Sequence, residues 1–131
     1  MAQPPSTPTA NADVDRPAED VRGQREDVRG LATPDAVVLA DAADTFAMLA
    51  SPQRLHLLWL LSQEECDVST LAGTLGVSAP LVSQHLAKMR WAGLVSAHRD
   101  GKRQVYTVDD PHVVTLVAQA IDHHEDLRAR A

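Results

Sequence analysis

This sequence predicts a mainly α-helical domain closed by a small β-hairpin, and three observations carry the prediction. Apolar residues recur at helical spacing in five stretches after Pro34. Between the fourth and fifth, Leu94–Arg99 and Gln104–Val108 flank an Asp100-Gly101 pair, the pattern of two short strands joined by a tight turn. Cap and stop residues punctuate the rest, with Ser51-Pro52, Ser78 and Asp110-Pro111 opening helices and Gly76 and Gly93 closing them. At 131 residues the chain has room for one domain with a real core, not two.

Residues 1–33 stand apart. They are rich in Pro, Ala, Thr and Asp, carry Glu-Asp-Val-Arg-Gly twice (19–23 and 26–30), and show no apolar periodicity. They read as a disordered tail ahead of a domain spanning 34–128. In the domain, Val38, Ala42, Phe46 and Leu49 mark one face of a helix over roughly 35–49. Ser51-Pro52 starts a second helix through about Gln63, apolar almost all round (Leu55, Leu57, Leu58, Trp59, Leu60, Leu61), which marks it as central and buried. His56 within it reads as a core or boundary histidine. A short helix from Val68 ends at Gly76, and Ser78 caps the next, about 79–92, whose inner set is Val82, Leu86 and Met89. The hairpin follows, with Lys102 and Arg103 beside its turn. Helix-turn-helix followed by a basic hairpin is a winged helix. The last helix starts at Pro111 and runs on Val113, Val114, Leu116, Val117, Ala120 and Ile121.

The charge distribution gives this architecture a purpose. The net charge of −6 argues against a nucleic-acid binder until it is divided along the chain. Residues 78–108 hold Lys88, Arg90, Arg99, Lys102 and Arg103 against Asp100 alone, while every other segment is acidic. A basic strip on an acidic body is the footprint of a DNA-binding surface. On the helix 79–92, Ser83 and Gln84 can reach base edges, Gln offering a bidentate match to adenine. His85 and Lys88 suit phosphate or packing, and Arg90 adds a cation on the same helix. Arg99, Lys102 and Arg103 on the wing suit phosphates or the minor groove. One winged helix rarely binds tightly alone, so a homodimer on an inverted repeat is implied, with the terminal helix as the contact.

That helix also carries Asp110, His112, His123, His124, Glu125 and Asp126. His112 and His123 fall within about 20° of one face but roughly 16 Å apart along the axis, too far to share a metal ion within one chain. An antiparallel partner helix brings Asp110 and His112 of one copy against His123 and Asp126 of the other, twice by symmetry. Two imidazoles and two carboxylates suit tetrahedral zinc. Ni(II) or Co(II) would need further donors, for which His124 and Glu125 are candidates, and the absence of thiolates disfavours softer ions. The single Cys66 excludes an internal disulfide framework and a Cys-rich zinc site.

The stretches LAGTLGVSAPLVSQHLAKMRWAGLV (71–95) and DDPHVVTLVAQAIDHHED (109–126) resemble the ArsR/SmtB family of bacterial metal-sensing repressors, over roughly residues 35–127. The resemblance implies a dimeric winged-helix protein that occupies its operator without metal and leaves it when metal binds. One subgroup places its sensing site across paired C-terminal helices with the pattern Asp-x-His, ten residues, His-x-x-His or His-x-x-Glu. Asp110, His112 and His123 match, with Asp126 in the last place. Asp there shortens the reach, so Glu125 or His124 stays open as the fourth ligand. The resemblance also implies that His123 passes the signal to the DNA-binding helices through its second ring nitrogen. Another subgroup senses thiophilic metals through two cysteines before the turn. Here Asp67 and Ser69 hold those positions and Cys66 is out of register, so that site is expected to be absent.

Other classes fit less well. A winged-helix repressor indifferent to metal shares every feature but the histidine pattern. A protein–protein module would use the basic strip on an acidic partner. An enzyme lacks any nucleophile motif beside the His/Asp/Glu cluster. With no apolar run long enough to span a membrane and no signal-peptide start, the expected location is the cytoplasm.

Overall fold

The structure, a computed structural model, describes residues 32–131. The Glu-Asp-Val-Arg-Gly repeat, and the tail up to residue 31, lie outside the described residues. The element order is α1 (Ala36–Leu49), α2 (Pro52–Gln63), β1 (Cys66–Asp67), α3 (Val68–Leu75), α4 (Ala79–Trp91), β2 (Ser96–Asp100), β3 (Arg103–Thr107) and α5 (Pro111–Arg130). Each helix begins where a short polar side chain can satisfy an orphan amide. Asp35, Ser51, Asp67, Ser78 and Asp110 accept from the backbone N–H groups of Val37, Arg54, Thr70, Leu81 and His112. Gly76 closes α3 with φ 71°, a left-handed conformation in which a side chain would be strained.

Leu57, Leu58 and Leu61 of α2 meet Leu71 of α3, Val82, Leu86 and Met89 of α4, and Val113 and Val117 of α5 in one core. α2 is central, as its composition predicts, although His56 lies exposed rather than in the core. The hairpin differs from expectation in two ways. Leu94 and Val95 turn into the core instead of joining the ladder, so β2 begins at Ser96 and pairs Ser96↔Thr107 through Asp100↔Arg103. The two loop residues are therefore Gly101 and Lys102, with Gly101 at φ 66°. The hairpin is also not alone. β1 pairs with β3 (Cys66↔Tyr106, Asp67↔Val105), giving a three-stranded antiparallel sheet in the order β1-β3-β2. A two-residue strand leaves no periodicity to read.

The apolar face read on α1 is only partly covered among the described residues. Leu49 is buried, but Val38 and Phe46 are 58% and 59% exposed. On α2 and α5, Pro52, Leu55, His56, Trp59, Ile121 and Glu125 line an open groove.

Candidate nucleic-acid interface and metal-ligand residues

Burying Val82, Leu86 and Met89 turns the opposite side of α4 outward. Ser83, Gln84, Lys88 and Arg90 are exposed there, ready for a partner. His85 is different. It is half-buried, and its Nε2 lies 2.9 Å from Gln53 Oε1 at the start of α2. Burial pushes its pKa below the ordinary value, and the charges of Arg54 and Lys88 push the same way. Bonded to α2, the ring takes the packing position, one of the two roles expected of it. Trp91 escaped the sequence reading. It is 94% exposed, and helical geometry puts it within about 60° of Gln84 and Lys88 on the outer stripe. Its signal was an aromatic residue off the inner 82/86/89 set.

The wing cations divide as well. Arg99 donates from Nη1 to the Lys102 backbone carbonyl oxygen at 3.3 Å, which closes the hairpin end; the Lys102 ammonium is itself without a partner among the described residues. Arg103 points elsewhere, donating from Nε to Asp67 Oδ2 at 2.9 Å. Asp67 is held well below its ordinary value of 3.8, at about 2, by hydrogen bonds from Thr70 and from Arg103. Cys66 is half-buried; burial raises its pKa, and the carboxylates of Glu64 and Asp67 raise it further. A raised pKa leaves less of the nucleophilic thiolate.

On α5 the predicted ligands fall at the two ends of the helix. Asp110 Oδ1 accepts from the His112 backbone N–H at 2.8 Å and lies 3.1 Å from His112 Nδ1. The first of these bonds is the chief cause holding the Asp110 carboxyl below its ordinary value. The His112 side chain is otherwise open, 95% exposed. His123 and His124 are exposed, their rings in edge contact at 5.0 Å between centroids, and Asp126 is half-buried. Among the described residues of one chain, no three His, Cys, Asp or Glu side chains come close enough to hold a metal. The pair Asp110/His112 is brought together; the other ligands are not brought to it.

The structure bears on the open fourth position. Glu125 lines the groove against α2, and by helical geometry it stands about 160° round from His123. His124 stands about 100° away and Asp126 about 60°. Asp126 is thus the candidate nearest the His112/His123 face.

A recognition helix packed on a short preceding helix, followed by a basic wing, places this chain in the winged helix-turn-helix class of DNA-binding folds. A family model for bacterial regulatory proteins of the arsR family matches residues 51–97. The transcriptional repressor SmtB of Mycobacterium tuberculosis is 33% identical over 130 residues, covering 94% of this chain and 96% of that protein. The transcriptional regulator KmtR of the same organism is 44% identical over 82 residues, 63% of each chain. Among solved structures, a homodimeric winged helix-turn-helix DNA-binding domain from Mycobacterium bovis superposes with a TM-score of 0.64 at 30% identity, covering 73% of this chain and 92% of that one. The chain belongs to the ArsR/SmtB family of transcriptional regulators.

Proposed function

We propose that the protein is a homodimeric, metal-responsive repressor, which holds an inverted-repeat operator without metal and releases it when zinc is bound between paired α5 helices. The observation that carries this reading is a stripe of α5 on which His112, His123 and Leu127 are exposed and Leu116 is half-buried at the core edge. His112, Leu116, His123 and Leu127 are four, seven and four residues apart and fall within about 60° of one another, the spacing of a helix–helix seam. Leu127 remains 45% exposed in one chain, and Val38 and Phe46 of α1 add apolar surface that a second copy would cover. The structural neighbour from M. bovis is homodimeric, which supports the pairing of two copies.

The donors at the two ends of that seam fit a metal. Asp110 already holds His112 by its Nδ1 side, and a carboxylate so placed fixes the ring of a ligating histidine. Two imidazoles and two carboxylates, from Asp110, His112, His123 and Asp126, suit a four-coordinate zinc site. Nickel or cobalt is the second reading, but the extra donors it needs, His124 and Glu125, are turned away from the His112/His123 face. The bound ion would supply a crosslink between subunits. The residues on the seam would then favour a dimer geometry that no longer fits two successive major grooves. Ser83, Gln84, Lys88 and Arg90 would reach the DNA from α4, with Arg99 and Lys102 on the wing.

The experiment is a zinc titration of the dimer bound to DNA from upstream of its own gene, read by fluorescence anisotropy. A coupling free energy typical of allosteric systems, roughly 1–3 kcal/mol, weakens operator affinity about 5- to 150-fold. His123→Gln should bind the operator as before and fail to respond. Release of that variant by zinc would refute the assignment. A wild-type complex that ignores zinc but releases with nickel or cobalt would select the second reading, and one that ignores all three would leave a metal-independent repressor.

A further inference from the structure

We propose that Arg103 is a positioning residue and not a DNA contact: paired with Asp67, it fastens the wing to the start of the helix-turn-helix. The inference deepens the DNA-binding reading and rests on it. Arg103 opens β3, the central strand of the sheet, and Asp67 stands opposite Val105, two residues further along that strand. The two side chains are thus diagonal cross-strand neighbours, a separation long side chains bridge. The bridge is made, with Arg103 Nε donating to Asp67 Oδ2 at 2.9 Å. Asp67 is the more enclosed partner, its side chain 20% exposed against 56% for Arg103.

The carboxylate has a second task. Its Oδ1 accepts from the Thr70 backbone N–H at 2.8 Å and so caps α3, the first helix of the helix-turn-helix. One side chain therefore joins the base of the wing tip to the element on which α4 packs. A second pair runs parallel to it, His98 Nε2 of β2 lying 3.5 Å from Glu65 Oε2 beside β1. Both strands of the wing are tied to the short edge strand that leads into α3. The phosphate-seeking work of the wing then falls to Lys102, whose ammonium is unpartnered among the described residues, and to Arg99.

Charge alone and positioning predict opposite signs for Asp67→Asn. Asn caps a helix about as well as Asp, so α3 keeps its start. Removing a negative charge beside the basic strip should tighten DNA binding if charge is all that matters. If Asp67 holds the wing through Arg103, binding weakens. We expect Asp67→Asn and Arg103→Gln each to weaken binding to the upstream duplex roughly two- to fivefold, the range of an exposed ion pair, and the double variant to be no weaker than either. The slope of log affinity against log salt should stay at the wild-type value in Arg103→Gln, while Lys102→Gln flattens it by about 0.9, one lost phosphate contact. Tighter binding by Asp67→Asn, additive losses, or a slope flattened by about 0.9 in Arg103→Gln would overturn the proposal. The DNA-free protein gives an independent check, because the ¹⁵N-detected Nε–H resonance of Arg103 should move to the position of a free guanidinium in Asp67→Asn. An Arg103 resonance unchanged by that substitution would also overturn it. Wild-type protein that bound no upstream DNA would refute the regulator reading instead, and the resonance would still decide whether the pair forms.

Discussion

If the metal site is shared between subunits, two inactive variants should repair each other. Consider His112→Ala and His123→Ala. In the proposed arrangement each site takes His112 from one copy and His123 from the other, because about 16 Å of helix separates them within a chain. Either variant alone then lacks one imidazole at both sites. In a mixed dimer the losses fall together: one site lacks both histidines and the other has both. After equal mixing and subunit exchange, about half the dimers are mixed and each carries one intact site of two, so the mixture recovers about a quarter of wild-type capacity. The assay is competition for zinc against a fluorescent chelator, run on each variant, on the freshly combined solution, and after exchange. Capacity should rise with exchange and level off near a quarter. A mixture that never exceeds its parents would refute the intersubunit geometry. Full capacity in either variant alone would refute the ligand set.

The α1 face offers a test of dimerisation itself. Covering the exposed part of Phe46 on both copies contributes roughly 3 kcal/mol to a symmetric dimer, so Phe46→Ala should raise its dissociation constant about a hundredfold in sedimentation equilibrium, and no change would place the interface elsewhere. His85 makes stability depend on pH. Its folded pKa lies below the ordinary 6.5, so its contribution is present above that value and lost as pH falls through the folded one. The melting-temperature advantage of wild type over His85→Gln should accordingly shrink between pH 7.5 and 5.5; an advantage that grew on acidification would reverse the sign argued here. Leu57, with no exposed surface, should cost roughly 2–5 kcal/mol as Leu57→Ala in urea unfolding, and a loss well under 1 kcal/mol would mean α2 is not the core helix.

What the sequence made legible follows from what each pattern encodes. Caps are local chemistry, so Ser51, Ser78 and Asp110 located helix starts to within a residue. The inner set Val82, Leu86 and Met89 is a period, and the structure buries all three. The periodicity of α1 was equally readable, yet it says only that a face is apolar, not whose surface covers it. β1 was unreadable because two residues have no period, and Asp100-Gly101 gave the turn but not its register, which the burial of Leu94 and Val95 decides. Composition located the positive charge in 78–108 but could not say which way each cation points. Arg103 turns to Asp67, His85 to Gln53, and only the fold reveals it.

The same limit explains why the residues proposed to sense metal look idle in a single chain. α5 presents two faces with different demands. Val113, Val117 and Ile121 hold one face on α2, and Glu125 continues along the groove there. The other face carries His112, His123 and Leu127, all exposed among the described residues, with Leu116 between them half-buried at the edge of the core. Ligands that converged within one protomer would bind metal without requiring any particular seating of two protomers. Placing them at opposite ends of a helix would make binding conditional on the pairing of α5 with its copy, and in the proposed dimer that pairing would also set the spacing between the two α4 helices. Separation of His112 from His123 is therefore what a switch between subunits requires.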